Sequence, residues 1–281
     1  MSTEAATQKP PGFAVPLAGS ARGPAVKTFL RDTLALAEVE LRKLARDPVE
    51  LLTRAIQPTL WLLVFGQVFG RLKAIPTGNL SYLTFMVPGI LAQSVLFIAI
   101  FYGINVIWER DLGILQKLMV TPSPRSALVL GKAISAGVRG LSQGLIIYLL
   151  ALLLHIPIRL GGAAVLGVLG FIILGSALFS TFSLAVACLV KTRERFMGIG
   201  QVLTMPLFFA SNAIYPLNLM PGWLRAAAKV NPLTYQVDAL RTLMVQGGQT
   251  LFGLPTDAAV QVAVLVAFVL LTARLYPNVV R

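Results

Sequence analysis

One short segment, residues 108–125, combines residue types that could dock on another protein. Charges of both signs stand together at positions 109–111, and leucines follow at helical spacing at positions 112, 115 and 118. Pro122 and Pro124 then end the helix. A stiff amphipathic piece this short cannot form a domain, but it suits a groove on a soluble partner whose motion it would transmit. A linker at the membrane surface with a solvated charge cluster is the alternative interpretation.

The chain offers little for catalysis or metal binding. It has one cysteine, Cys188, and one histidine, His155, which makes a Cys/His metal site or a histidine proton relay unexpected. None of its 11 acidic residues falls in the middle of an apolar run, which argues against ion-coupled transport and against an intramembrane acid–base enzyme. The P-loop pattern G-x-x-x-x-G-K-[ST] is absent. We therefore expect no catalytic, cofactor-binding or metal site, and a separate ATPase chain if transport uses ATP.

The composition places these residues in a membrane protein. The 281 residues are 56% hydrophobic and 12% charged, whereas a soluble domain carries about 25% charged residues. Several long apolar runs would not fit one soluble core, which excludes an ordinary soluble enzyme, and the same numbers exclude a disordered protein. The runs are too long and continuous for the strands of a membrane β-barrel. The net charge of +13 lies mostly between the runs, which suits an anionic membrane face better than nucleic acid.

Six apolar stretches could cross a bilayer, which requires ~20 helical residues. They cover residues 55–72, 82–107, 127–154, 163–190, 196–215 and 254–276. With the N-terminus inside, the cytosolic segments hold 17 Lys and Arg and the outer segments hold 6. This asymmetry predicts that both termini are cytosolic. The fold class is therefore an all-α membrane protein, with six transmembrane helices in one domain over residues 55–281.

The residues before the first span predict two further segments. Residues 1–27 lack a continuous apolar run, and we expect a disordered cytosolic tail. Residues 28–54 contain an amphipathic helix that Asp47-Pro48 ends or bends. One face of this helix carries Leu30, Leu34, Leu41 and Leu44. We expect this helix to lie along the inner leaflet; a helix docked on a soluble partner is the alternative.

The region before the last span contains four prolines in residues 205–242. The Pro-Gly pair at 221–222 and the Asn-Pro pair at 231–232 are signals for turns and helix starts. The short segments between them, about 222–229 and 232–245, predict broken, half-inserted helices on the outer side. A plain extracellular loop with two surface helices is the alternative.

Two motifs carry a family resemblance. The pattern W-E-R-D-x-G-x-L-x-x-L-x-x-T-P over residues 108–122 and the pattern N-P-L-T-Y-x-V-D-A-L-R over residues 231–241 resemble the type-2 permease family of ABC exporters. That family includes the daunorubicin and multidrug exporters and the O-antigen and teichoic-acid exporters. The resemblance covers about residues 28–276, and the order of elements also matches. Since the spans lack an obvious aromatic ladder, the chain resembles the drug branch more than the glycan branch.

The resemblance implies partners and site residues. It implies a permease that dimerises, with itself or with a sister permease, and that binds two copies of a separate ATPase, where ATP and Mg²⁺ would act. The N-terminal helix, about residues 28–46, would touch the ATPase as well. The residues implied in ATPase coupling are Glu109, Arg110, Asp111, Leu112, Gly113, Leu115, Lys117 and Leu118. The outer-side motif is formed by Asn231, Pro232, Tyr235, Asp238 and Arg241.

We therefore predict the transmembrane subunit of an ATP-driven exporter in the cytoplasmic membrane of a prokaryote. The scattered polar residues in the apolar spans suit an amphipathic, drug-like or lipid-like cargo. Two alternatives stay open: a secondary transporter driven by an ion gradient, and a permease for polysaccharide or lipid-linked glycan. A membrane-embedded enzyme or a scaffold subunit is a further possibility that no acid, base or metal constellation supports.

Overall fold

The computed structural model describes residues 53, 56–72, 75–78, 80–112, 125–190 and 192–275, without the side chains of residues 105, 106, 109, 125–132, 134 and 135. The predicted tail and amphipathic helix lie outside the described residues, and with them Leu30, Leu34, Leu41 and Leu44. The second half of the predicted coupling segment also lies outside them, including Gly113, Leu115, Lys117 and Leu118. The predictions for these residues stay predictions.

The described residues form helices and turns, without a β-strand. A π-helical segment, Trp61–Gly66, leads into the first α-helix, and a 3-10 turn, Leu217–Leu219, precedes the seventh. The α-helices are α1 (Gln67–Leu72), α2 (Tyr82–Phe101), α3 (Gly103–Asp111), α4 (Arg125–Leu153), α5 (Gly162–Leu189), α6 (Arg193–Phe209), α7 (Gly222–Val230), α8 (Pro232–Met244) and α9 (Leu254–Leu275).

Four of these helices are long and apolar enough to cross a membrane: α2, the Ala136–Leu153 part of α4, α5 and α9. The prediction of an all-helical protein with membrane-spanning helices is thus confirmed in its main feature. The other two predicted spans are shorter. The first is helical over residues 56–72, and α6 has 17 residues and begins with three charged ones. A topology of six spans stays a prediction.

Helix α5 is the centre of the bundle. It packs against α4, α9, α2 and α8, and its buried Ile172 and Phe179 belong to one apolar core with Ile90 of α2 and Val237 of α8. Between lipid-embedded helices the attraction comes mainly from close packing, which small residues permit. At Gly144 of α4, an added Cβ would lie 2.7 Å from Cδ1 of Ile172. The glycine therefore allows a close approach of α4 to α5.

The end of α6 differs from the prediction. The apolar stretch continues to residue 215, but the helix ends at Phe209, and turns follow. The free carbonyls at this end, those of Leu207 and Ala210, accept hydrogen bonds from Nδ2 of Asn231 at 2.6 and 2.8 Å. Because the side chain that caps α8 satisfies them, the helix can stop here, inside the predicted span.

The two short helices α7 and α8 occupy the segments that the prolines predict. Pro221 and Asn231 are their N-caps, and Pro232 is the first residue of α8, where a missing N–H has no consequence. The depth of these helices in the membrane and the side on which they lie stay predictions.

Candidate functional site

The predicted coupling segment leaves the bundle at the carboxyl end of α3. The N–H of Leu112 donates to the carbonyl of Trp108 at 3.0 Å and closes the last turn. Both side chains are exposed, Trp108 at 48% and Leu112 at 65%. Ile107, one position before Trp108, is instead buried with Ala187 of α5 and Phe196 of α6. One face of α3 is therefore held by α5 and α6, and large apolar side chains remain at the surface.

Asp111 lies at the carboxyl end of α3, where the helix dipole disfavours a carboxylate. Two arginines compensate. Arg110 places Nη2 and Nε at 3.1 and 3.2 Å from Oδ1 of Asp111, and its Nη1 donates to the carbonyl of Val190 at 3.3 Å. Arg193 places Nη2 and Nε at 2.8 and 3.1 Å from Oδ2. Each carboxylate oxygen thus accepts two hydrogen bonds, and α3 is joined to the connection between α5 and α6.

Arg193 is positioned by the start of α6. The Thr192 side chain is the N-cap and accepts a hydrogen bond from the Arg195 N–H at 3.4 Å. From this first helical position, the guanidinium carbon of Arg193 lies 3.6 Å from the centre of the Trp108 ring, a cation–π contact. We call Trp108, Arg110, Asp111 and Arg193 the α3–α6 cluster.

The charges of the α3–α6 cluster determine its behaviour with pH and salt. The hydrogen bond from Arg110 holds the pKa of Asp111 below its usual value; desolvation acts in the opposite direction, and the bond from Arg193 adds to the lowering. Asp111 is therefore ionised at neutral pH. Because the pairs are exposed to water, each contributes little to the free energy of unfolding. The cluster orients α3 relative to α6 more than it stabilises the fold.

The structure brings together part of the predicted coupling set. Arg110 and Asp111 lie in the α3–α6 cluster, and Leu112 lies beside it. Glu109 belongs to α3, but its side chain lies outside the described residues. Sequence reasoning missed Arg193, which is 82 residues from Asp111 along the chain. The available signal was the basic run at 191–195, whose charges were counted only to orient the chain in the membrane.

The outer-side motif holds three parts of the chain together. Besides its two bonds to the end of α6, Asn231 accepts a hydrogen bond from the Leu233 N–H at 3.0 Å and so caps α8. The Tyr235 hydroxyl donates to the Lys229 carbonyl at 2.7 Å, which fastens α8 to the last turn of α7. Pro232 begins α8. These contacts give the first half of the motif a positioning role.

The second half of the motif lies deeper. Oδ2 of Asp238 accepts hydrogen bonds from the N–H groups of Leu251 and Phe252 at 2.8 and 3.1 Å, and so orders the turn before α9. Arg241 is 4% exposed, and its Nη2 donates to the Asn212 carbonyl at 2.7 Å. Its guanidinium carbon lies 3.8 Å from the centre of the Phe85 ring of α2. Arg241 therefore joins α8 to α2 and to the segment after α6.

A second acidic residue is buried beside this motif. Asp257 lies in the first turn of α9 with no exposed surface, and neither of its carboxylate oxygens has a hydrogen-bond partner among the described residues. Asp238, also buried, is near enough to interact with it electrostatically. Within the described residues, no group of three or more His, Cys, Asp or Glu is arranged to hold a metal ion. The carboxylates lie at one end of α9 and not at its middle.

Comparison with known proteins finds transporters among the relatives of this chain. Residues 31–245 match the family described as ABC-2 type transporter. The chain is 30% identical over 220 residues to "Putative transport permease ycf38" of Cyanophora paradoxa, which covers 76% of this chain and 74% of that relative. It is 26% identical over 255 residues to "Daunorubicin resistance ABC transporter permease protein DrrB1" of Streptomyces coeruleorubidus, which covers 91% and 89% of the two chains.

Proposed function

The chain belongs to the ABC-2 type transporter family, and we propose that it is the transmembrane subunit of an ATP-driven exporter that works as a dimer with a separate ATPase. The family membership supports a permease role. The α3–α6 cluster is the observation that carries the proposed coupling, because it joins the start of the 108–125 segment to α6 through Asp111 and Arg193.

In this proposal the segment after α3 contacts the ATPase, and Asp111 and Arg193 transmit its displacement. A push on α3 would move Ile107, which is packed with Ala187 of α5 and Phe196 of α6. The ion pair and the Trp108 contact would keep α3 and α6 moving as one unit. ATP and Mg²⁺ would bind in the partner ATPase, and this chain would supply the pathway and the mechanical contact.

The proposed topology has six spans, with both termini in the cytosol. Residues 56–72 and α6 provide the first and fifth spans, in addition to the four helices of spanning length. We place the protein in the cytoplasmic membrane of a prokaryote, with a second permease copy and lipids as further partners. The relative from Streptomyces coeruleorubidus is named for daunorubicin resistance, which supports an amphipathic, drug-like or lipid-like cargo.

Charge reversal tests the coupling. The chain is co-purified with the proposed partner ATPase, and nucleotide hydrolysis is measured together with ATP-dependent uptake into inverted vesicles, which reports efflux from the cell. Asp111→Lys should weaken association with the ATPase and reduce efflux, because it repels Arg110 and Arg193. Glu194→Lys, an equal change of charge at an exposed position of α6, is the control and should leave both intact. Equal behaviour of the two variants would remove Asp111 from the coupling mechanism.

Ion coupling is the second candidate function, and the buried carboxylate of Asp257 is the observation that favours it. Buried acids near a span often belong to ion pathways. Reconstitution without any ATPase distinguishes the two. Uphill transport that persists there, stops when the proton gradient collapses and is lost in Asp257→Asn would support the ion-coupled transporter. Transport that requires the ATPase and survives collapse of the gradient would support the exporter.

A further inference from the structure

Four buried polar side chains lie on α8 and α9, two helices that pack against each other. Thr234 and Asp238 are one turn apart on α8, and Asp257 and Gln261 are one turn apart on α9. Residues four positions apart lie on the same side of a helix. Each of the four side chains has no exposed surface. We call these residues the α8–α9 polar group.

The α8–α9 polar group has more polar atoms than hydrogen bonds. Six of its side-chain atoms are buried without a hydrogen-bond partner among the described residues: Oγ1 of Thr234, Oδ1 of Asp238, both carboxylate oxygens of Asp257 and both amide atoms of Gln261. Buried polar atoms in folded proteins are nearly always paired, because an unpaired one is costly. Their concentration on two adjoining helices therefore indicates a ligand that none of the described residues supplies.

The second oxygen of Asp238 shows where this ligand would bind. Oδ2 accepts hydrogen bonds from the Thr250 hydroxyl at 3.0 Å and from the N–H groups of Leu251 and Phe252 at 2.8 and 3.1 Å. These bonds join Asp238 to the turn before α9. Asp257 follows in the first turn of α9, near enough to Asp238 for an electrostatic interaction. Oδ1 of Asp238 is therefore left for a ligand at the same end of α9.

The charges around these carboxylates select the kind of ligand. Arg241, buried one turn further along α8, interacts electrostatically with Asp238 and balances its charge. Among the described residues, Asp257 interacts with the like charge of Asp238 and has neither a hydrogen bond nor a salt bridge from its carboxylate. A buried carboxylate requires an ion pair or a metal ion. One negative charge therefore remains, and one monovalent cation balances it.

The atoms of the α8–α9 polar group suit a metal cation better than a proton. A proton on Asp257 would supply a single hydrogen-bond donor, whereas five of the unpaired atoms are oxygens. Carboxylate, amide and hydroxyl oxygens are the ligands that hard cations prefer. A divalent ion would leave one positive charge in excess. An organic ammonium ion is too large for a place where none of the four side chains is exposed.

We propose that the α8–α9 polar group binds one monovalent metal cation, with Asp257 as the charged ligand. Asp238, Gln261 and Thr234 supply the other oxygens. The ion holds the start of α9 against α8, beside the turn that Asp238 orders. The site does not depend on the proposed function, since an exporter and an ion-coupled transporter are both compatible with it.

The test measures thermal unfolding and sodium binding of the full chain in detergent, without nucleotide and without the ATPase. Unfolding is followed in NaCl, KCl and choline chloride at equal ionic strength. The unfolding temperature should be higher in at least one of the metal salts and should rise with the logarithm of its concentration, because a ligand of the folded state stabilises it by mass action. Binding of radioactive sodium or of its potassium substitute should saturate at one ion per chain.

Variants locate the ion. Asp257→Asn should weaken cation binding roughly tenfold or more, the size expected when one charged partner is lost, and should remove the difference between the salts. Gln261→Leu and Thr234→Val each remove one neutral oxygen and should shift the response to higher salt concentration, which keeps the result interpretable if Asp257→Asn folds poorly. Glu194→Gln removes the same charge at an exposed position of α6 and, as the matched control, should keep the full response.

Three results would overturn the proposal. Equal unfolding temperatures of the parent chain in all three salts would indicate that Asp257 carries a proton instead of a metal ion. A response that Asp257→Asn retains would place the cation elsewhere. A response that Glu194→Gln also loses would indicate screening of surface charge.

The outcome is separable from that of the proposed function. Cation binding by a chain that shows no ATP-dependent transport would count against the exporter and leave the cation site intact. ATP-dependent transport by a chain whose stability is the same in all three salts would leave the exporter intact and remove the cation site.

Discussion

Arg193 and Asp111 join two segments that are 82 residues apart, with Nη2 of the arginine 2.8 Å from Oδ2 of the aspartate. Asp111 ends the helix from which the predicted coupling segment departs, and Arg193 begins α6. The pair lies at the surface, where its contribution to the free energy of unfolding is small. In the proposed mechanism its role is therefore mechanical, and the proposal predicts variants in which transport fails while the fold remains.

Arg193→Gln should uncouple the proposed exporter. The variant loses the forked hydrogen bonds to Asp111 and the contact with Trp108, so that α3 and α6 can move separately. We expect efflux to fall several-fold while ATP hydrolysis by the partner falls less, with thermal stability changed by less than about 1 kcal/mol. Arg195→Gln is the control in efflux and hydrolysis assays. A parallel fall of both activities in Arg193→Gln would contradict uncoupling.

The effect of replacing Asp111 on efflux should not depend on pH near neutrality. Arg110 and Arg193 lower its pKa, so the ionised form and the stability it contributes are fully present above the ordinary pKa of ~3.9 and are lost only as the pH falls through the lower, folded-state value. Asp111→Asn should therefore reduce efflux by the same factor at pH 6 and pH 8. A factor that shrinks toward pH 6 would show that another titrating group controls the contact.

The stability of the protein should depend on the amide group of Asn231, and a carboxylate at this position should not replace it. Its Oδ1 accepts from the Leu233 N–H, and its Nδ2 donates to two carbonyls. We expect Asn231→Ala to lower the free energy of unfolding by ~1–3 kcal/mol. Asn231→Asp should be at least as damaging, because it keeps the cap but turns an oxygen toward the carbonyls of Leu207 and Ala210.

Thermal unfolding in detergent measures these effects, with Asn218→Ala, at an exposed position of the same region, as the control. Near-parental stability of Asn231→Asp would mean that the cap alone matters and that the bonds to α6 contribute little.

Gly89 should not tolerate alanine. A Cβ at this position of α2 would lie 2.7 Å from Cα and 2.8 Å from the carbonyl carbon of Ala213, and backbone atoms cannot move aside as a flexible side chain can. We expect Gly89→Ala to destabilise the protein by ~1–3 kcal/mol. The matched control is Gly170→Ala in α5, where an added Cβ meets no atom within 4 Å.

Because alanine favours a helix over glycine by about 0.5–1 kcal/mol, Gly170→Ala should be neutral or slightly stabilising in the same unfolding assay. Equal stability of the two variants would show that α2 can move away from the segment after α6.

Long apolar runs allowed much of the helical layout to be predicted. The predicted span 163–190 corresponds to the helix Gly162–Leu189. The predicted span 254–276 corresponds to the helix Leu254–Leu275. The prolines and Asn231 predicted the two short helices before α9 within a few residues. These features are local, because a continuous apolar segment in lipid must satisfy its own backbone hydrogen bonds and does so as a helix.

Long-range contacts could not be predicted in this way. The motif residues Arg110 and Asp111 were chosen for their type, but their partner Arg193 comes from another part of the chain, and no pattern of spacing links the two. The place of Arg139 beside the aromatic side chains of α2 likewise depends on how two helices pack.

The sequence by itself determined that this protein is helical, membrane-embedded and without a P-loop of its own, because hydropathy and motif are properties of a single segment. The tertiary structure decided which charged side chains meet, where α6 ends and where buried polar side chains gather between two helices. Those outcomes depend on distances between segments, and such distances are set only when glycines such as Gly89 and Gly144 let the helices approach and polar side chains such as Asn231 and Arg241 satisfy the backbone that packing leaves open.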